Sequence, residues 1–327
     1  MAQVEGKPST WHDGEIALQR TVGVAERMAR HAASIVRDHL PEQHRHFYPQ
    51  LPFIVLGSVD ADGDAWATLR GGEPGFAHSP NPSLLRVNVP RDPGDPAEGG
   101  LNDGDTVALL GIELDTRRRN RANGPILRSS PDRFDIEVEQ AFGNCPKYIQ
   151  ARDFEFVRDP AALSPEPARH LTRLDDNARK LITRADTFFV ASYVDLPHGR
   201  QVDISHRGGK GGFVRLSDDG VLTIPDFTGN RLFNTLGNLL VNPKSGLLFV
   251  DFETGDMLQL SGDSEVLLES PDIAAFLGAE RFWRFAPRRI LFRASALPLR
   301  WTLTEWSPNA LATGAWPRKA VAVPDSA

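Results

Sequence analysis

The chain writes one short phrase twice. Residues 70–76 read RGGEPGF and residues 207–213 read RGGKGGF, 137 positions apart. The likeness extends outward. FIVLGSVDADGDAWATLRGGEPGF (53–76) parallels FVASYVDLPHGRQVDISHRGGKGGF (189–213), and LLGIELDT (109–116) parallels LLFVDFET (247–254) at an offset of 138. One Gly-Gly match alone is what chance supplies. Two matches in the same order at nearly the same spacing point to an internal duplication. That is a strong constraint, because the chain must then fold into the same unit twice.

Each unit reads as mostly antiparallel β. Short apolar runs at 52–59 and 65–70 flank DADGD, a hairpin turn, and further strands are expected at 84–89, 105–114 and 133–140. In the second unit the strand candidates are 187–194, 201–207, 221–227 after the turn SDDG, 246–253, 256–262 and 288–301. Helical spacing predicts a helix over 14–40, capped by Asp13 and stopped by Pro41. Shorter helices are expected at 175–185, 229–240 and from Ser270–Pro271 to about Gly278. Many short strands joined by Gly and Asp turns suggest a barrel. The expected organisation is an N-terminal helical segment (1–45), a first unit (46–155), a linker marked by Pro160, Pro165 and Pro167, a second unit (165–307) and a flexible tail (308–327). The fold class is therefore mainly β with flanking helices, α+β.

Several function classes fall away. The formal net charge of −6 argues against a general nucleic-acid binder. No apolar run approaches the ~20 residues that span a bilayer, so no membrane role is expected. The first residues show no secretory signal, and the single cysteine, Cys145, leaves no intrachain disulfide. The expected location is cytoplasmic. There is no G-x-G-x-x-G opening a helix, and Lys210 after Gly209 lacks the Ser or Thr of a P-loop. His39, His44 and His46 lack metal-ligand spacing, so no metal site is expected.

The informative stretch is SHRGGKGGF followed by IPDFTGNRLFNTLGNLLVNP. On a helix from Gly229, the residues Arg231, Asn234, Thr235 and Asn238 share one face, and Leu232, Leu236, Leu239 and Leu240 share another. Ser205 and Arg207 lie two apart on a strand and point to one side. Two arginines, a serine and a helix N-terminus together can bind a phosphate dianion. The alternative is a polar surface helix beside an ordinary hairpin. In the first unit, DTRRRNRANG (115–124) would send Arg117, Arg119 and Arg121 to one strand face, which needs an anion or carboxylates opposite.

At this point the second half resembles the pyridoxamine 5′-phosphate oxidase-like group of FMN-binding split β-barrels. The matching elements are the helix before FFVAS, VDISHRGG, IPDFTGN, Asn242–Pro243 and the GLLF run. The first half, through TRRRNRANG and FGNCPKYIQAR (142–152), resembles the N-terminal part of a bacterial subgroup of that family. The resemblance implies two tandem split barrels, non-covalent FMN and a homodimer. It implies an oxidoreductase acting on a small-molecule substrate, with NAD(P)H or a separate reductase as electron donor. The phosphate would be held by Ser205, Arg207, Arg231 and Asn234, with His206, Lys210, Asn230, Thr235 and Asn238 nearby. Arg119, Arg121 or the Cys145–Lys147–Tyr148 segment would approach from the first unit. The residues by which the oxidase recognises its vitamin substrate are missing, so that substrate is not implied. The alternative is a non-catalytic flavin or haem carrier or sensor.

Overall fold

The computed structural model describes residues 10–316. The N-terminal residues form three helices, α1 (Asp13–Thr21), α2 (Ala25–Ile35) and α3 (Glu42–Phe47). The single helix expected over 14–40 is broken because Gly23 takes a left-handed φ of 68°. Its cap is His12, not Asp13: the His12 ring accepts from the Gly14 N–H and the Glu15 carboxylate accepts from the His12 N–H.

The first unit follows as β1 (Phe53–Val59), β2 (Ala65–Gly71), β3 (Ala77–Asn81), β4 (Leu84–Val87), β5 (Thr106–Glu113), β6 (Arg118–Ser130), β7 (Arg133–Glu137) and β8 (Gln140–Gly143). After β9 (Ala151–Phe156), β10 (Arg169–Leu171) and α4 (Asp176–Arg184) comes the second unit. It comprises β11 (Thr187–Leu196), β12 (Gly199–Gly208), β13 (Arg215–Leu216), β14 (Leu222–Phe227), α5 (Asn234–Val241), β15 (Lys244–Val250), β16 (Met257–Leu267), α6 (Pro271–Ala275) and β17 (Ala279–Arg293). The chain closes with β18 (Leu299–Glu305) and α7 (Pro308–Leu311).

The first sheet is ordered β2-β1-β5-β6-β7-β4-β3, with β8 also on β6. The second is ordered β12-β11-β15-β16-β17-β14-β13, with β10 also on β17. Strand by strand the order is the same, so the duplication seen in RGG-x-x-GF is a duplication of topology. Each unit is a split β-barrel, and the two stand in tandem.

Each unit buries its own core, around Phe134 and Ile136 in the first and around Phe188 and Trp283 in the second. A third core joins them: Val55, Ala67 and Leu110 pack with Ala191, Ile204 and Leu248. The packing is reciprocal, β12 against β5 and β2 against β15, as a pseudo-twofold axis requires. Gly246 marks how closely the units approach, because a Cβ there would lie 2.3 Å from the Ala65 carbonyl oxygen. The units are also tied by β9, which follows the first, pairing with β18, which follows the second.

Three local expectations change. The run 288–301 is not one closing strand but the end of β17, a turn and the start of β18. The helix expected from Gly229 starts only at Asn234, because Arg231 and Phe233 are left-handed at φ 64° and 65°. Residues 308–316 do not form a loose tail. Ser307 caps α7, and Trp316 packs against Phe276 and Phe282. The rest of the expected tail, 317–327, lies outside the described residues. No helix among the described residues is long and apolar enough to cross a membrane.

Candidate functional site

A cleft open to solvent lies between the units. Strand β6 contributes Arg119 and Arg121 from the first unit, and β12 contributes Ser205, His206 and Arg207 from the second. The loop after β14 and the first turn of α5 contribute Asn230, Arg231, Asn234 and Thr235. The segment after β8 adds Asn144, Cys145, Lys147 and Tyr148. All but three of the expected residues therefore meet here. Arg117 does not share a strand face with Arg119 and Arg121: it precedes β6 at a left-handed φ of 60° and turns to Glu305 at 3.0 Å. Lys210 lies outside, in the turn after β12. Asn238 is fully buried behind the cleft, bonded to Ser192, Asp203 and His12.

The cations differ in how they are satisfied. Arg231 is clamped by Glu280 through two bonds of 2.7 and 2.8 Å, and Glu280 also receives Thr228 and Arg281. Burial alone would raise the Glu280 carboxyl, but the Thr228 hydroxyl and the two arginines outweigh it and hold the acid below its ordinary range. Arg231 thus serves the loop more than the cleft, a correction to its expected place on a helical stripe. Arg207 donates to Asp226 at 3.0 Å, and Asp226 is shared with the buried Arg281 at 2.6 Å. Arg121 is buried, contacts Asp203 at 3.2 Å and Asn234 at 3.3 Å, and donates to the Ser205 hydroxyl. Its ring-facing side lies 5.3 Å from the Phe142 centroid.

Arg119 is the exception. Its guanidinium donates to the Cys145 carbonyl oxygen, and no carboxylate among the described residues pairs with it. Burial and then the neighbouring Arg121 pull it down to about 9. It still carries its charge at neutral pH. Beside it, the buried Nε groups of Arg121 and Arg207 have no hydrogen-bond partner. The cleft is therefore short of negative charge.

Other donors converge on the same space. No side chain caps α5, and Asn234, Thr235 and Leu236 of its first turn line the cleft, at the positive end of the helix dipole. Thr235 donates to Ser205 at 2.8 Å. His206 is buried, and burial, followed by Arg119, holds its imidazole far below its ordinary range. It is neutral, and its Nε2 has no partner. The apolar wall comprises Phe213, Pro225, Phe227, Phe233 and Tyr148, with Tyr148 and Phe227 rings 5.3 Å apart. Tyr148, Arg231 and Phe233 all sit at positive φ, backbone strain of the kind that collects at ligand sites.

A buried network stands behind the cationic side. Glu15 of α1 accepts from Asn234 at 2.6 Å. Burial, reinforced by Asp203, raises its carboxyl to about 8. Sequence reasoning missed Glu15, Asp203, Asp226 and Glu280. Asp203 was within reach, since it precedes Ser205 by two on the same strand face. Glu15 was not, because 219 residues separate it from Asn234.

No protein-family model and no curated protein matches the chain. Solved structures do match. A putative pyridoxamine 5′-phosphate oxidase from Lactobacillus delbrueckii is 18% identical, over 32% of this chain and 95% of its own, with a TM-score of 0.26. HutZ, a haem storage protein from Vibrio cholerae, is 16% identical over 37% of this chain and 95% of its own, TM-score 0.27. An FAD-binding protein from Mycobacterium smegmatis is 14% identical over 38% of this chain and 98% of its own, TM-score 0.27. The fold rests on the chain's own strand order, which makes it two split β-barrel units in tandem, and it is to proteins of this oxidase-like, flavin-binding and haem-storage kind that the chain is similar.

Proposed function

We propose that the interdomain cleft binds FMN non-covalently and that the chain is an FMN-dependent oxidoreductase acting on a small molecule. One observation carries the reading: Arg119 holds a cation in the cleft, and no carboxylate among the described residues answers it. A partly buried charge without a partner is costly, and a bound dianion removes that cost. The residues present fit such a group. Arg119, Arg121 and Arg207 offer charged donors, Ser205 and Thr235 offer hydroxyls, and the start of α5 offers backbone N–H groups. The aromatic wall suits the face of a flat ring system.

When bound, the flavin supplies the transfer of hydride or electrons. The chain's residues do the rest. The arginines fix the phosphate and so set the ring's position, the aromatic side chains exclude water, and the net positive charge favours a reduced, anionic ring. Electrons would come from NAD(P)H or a separate reductase. A homodimer and a cytoplasmic location belong to the same proposal.

The second reading is a haem carrier or sensor. It is favoured by His206, whose imidazole is neutral and whose Nε2 has no hydrogen-bond partner among the described residues, the state in which a histidine nitrogen would hold haem iron. One visible spectrum after separate additions of FMN and haemin separates the readings. FMN retained through gel filtration with a perturbed flavin spectrum supports the first. A haem band that is lost in His206→Ala, with no FMN retained, supports the second. Anaerobic bleaching of bound flavin by NADPH or NADH then distinguishes an enzyme from a carrier.

A further inference from the structure

The duplication gives the open cleft a mate. Ser205 and Arg207 of β12 correspond to Thr68 and Arg70 of β2 at the 137-residue offset. Arg119 and Arg121 of β6 correspond to Met257 and Gln259 of β16 at the offset of 138. The sheet register extends the correspondence. Arg121 pairs with Phe142 and Gln259 pairs with Leu291, so Asn144 and Arg293, each two residues further on, are equivalent. Arg207, Arg119 and Asn144 line the open cleft. Their mates Arg70, Met257 and Arg293 line a second, smaller cleft.

The second cleft is filled from within. The span between β4 and β5 carries Asp92, Asp95 and Glu98, whereas the equivalent span between β14 and β15, 228–243, contains no acid. The Asp95 side chain is fully buried. Thr68 donates to one of its oxygens, and Arg293 lies 3.2 Å from that same oxygen. Gln259 donates to the other at 2.9 Å. Arg70, the mate of Arg207, is met by Glu98 at 2.6 Å. Residues equivalent to those that face open space in one copy thus converge on a carboxylate in the other.

We propose that the first copy is an oxyanion site whose anion is the chain's own Asp95 carboxylate, and that each chain consequently presents one open anion cleft. The internal occupancy stands on these contacts. Only the corollary of one cofactor per chain rests on the proposed flavin function.

The test is Asp95→Ala in the full chain, with sodium formate as the probe, since formate restores the deleted carboxylate. At matched ionic strength against sodium chloride, formate raises the melting temperature of Asp95→Ala by roughly 2–4 °C more than that of the wild type. Asp95→Asn fills the same space without the charge and gains nothing. Equal shifts in Asp95→Ala and wild type overturn the proposal. If Asp95→Ala does not accumulate as folded protein, refolding yield in formate against chloride is read instead. A yield that rises with formate supports the site, and an equal yield contradicts it. A wild type that takes up no flavin defeats the flavin reading and leaves the formate result standing.

Discussion

At the second copy of the barrel, Ser205 and Arg207 stand beside Arg119 and Arg121 in a cleft with cationic donors to spare. At the first, Thr68 and Arg70 stand beside Met257 and Gln259, and three acids from one loop close over them. The strand orders are equivalent, so the sheet topology does not decide which copy can take a ligand. The balance of charge does. A copy whose cations are answered internally gains stability and loses its vacancy. A copy that leaves them unanswered gives up stability and keeps an affinity for anions.

The largest expected effect separates the two arginine mates. Arg207→Ala combined with Arg121→Ala weakens FMN binding roughly 100-fold or more, since each charged hydrogen bond contributes about 1.5–3 kcal/mol. Arg70→Ala leaves FMN affinity unchanged and instead destabilises the fold by about 2 kcal/mol, because Glu98 loses its 2.6 Å partner and keeps only Arg91 at 3.5 Å and the Asp92 N–H. Isothermal titration and chemical denaturation of both variants check this. An Arg70→Ala protein that loses FMN would merge the two sites and break the comparison.

Arg119→Ala comes next. It weakens FMN about tenfold, yet it leaves apo stability unchanged or raised, because no carboxylate loses a partner. A clear loss of apo stability would show that the arginine is structural.

The third effect is on pH dependence and belongs to the open copy alone. Glu15 has a folded value of about 8 against an ordinary 4.5. Between these limits the folded state holds more protons than the unfolded state, so stability falls as pH rises from about 5 to about 8. In Glu15→Gln that decline flattens. Denaturation midpoints across this range measure it, and parallel curves for the two proteins would remove Glu15 as the source. The smallest effect is Lys210→Ala, which changes FMN affinity less than about twofold, as befits a residue outside the cleft.

Much of this was legible in the sequence. Repetition gave the tandem units, and period-2 alternation placed Ser205 with Arg207 and Arg119 with Arg121. What could not be read was local backbone that breaks a pattern. Arg231 and Phe233 take left-handed conformations, so the polar stripe drawn through Arg231 does not exist, and the arginine turns to Glu280 instead. Long-range partners were equally hidden. Nothing near Asn234 announces Glu15, and nothing near Thr68 announces that Asp95 seals its site, although the acids of 88–105 stand in plain contrast to the acid-free 228–243. The linear pattern shows which face a residue occupies. Only the packed chain shows which charges are answered.

The most direct test of the account is a titration of the purified apo chain with FMN, followed by quenching of flavin fluorescence. The account predicts saturation at one FMN per chain, abolished by the Arg121→Ala and Arg207→Ala pair and untouched by Arg70→Ala. Saturation at two per chain, or no quenching at all, would contradict it.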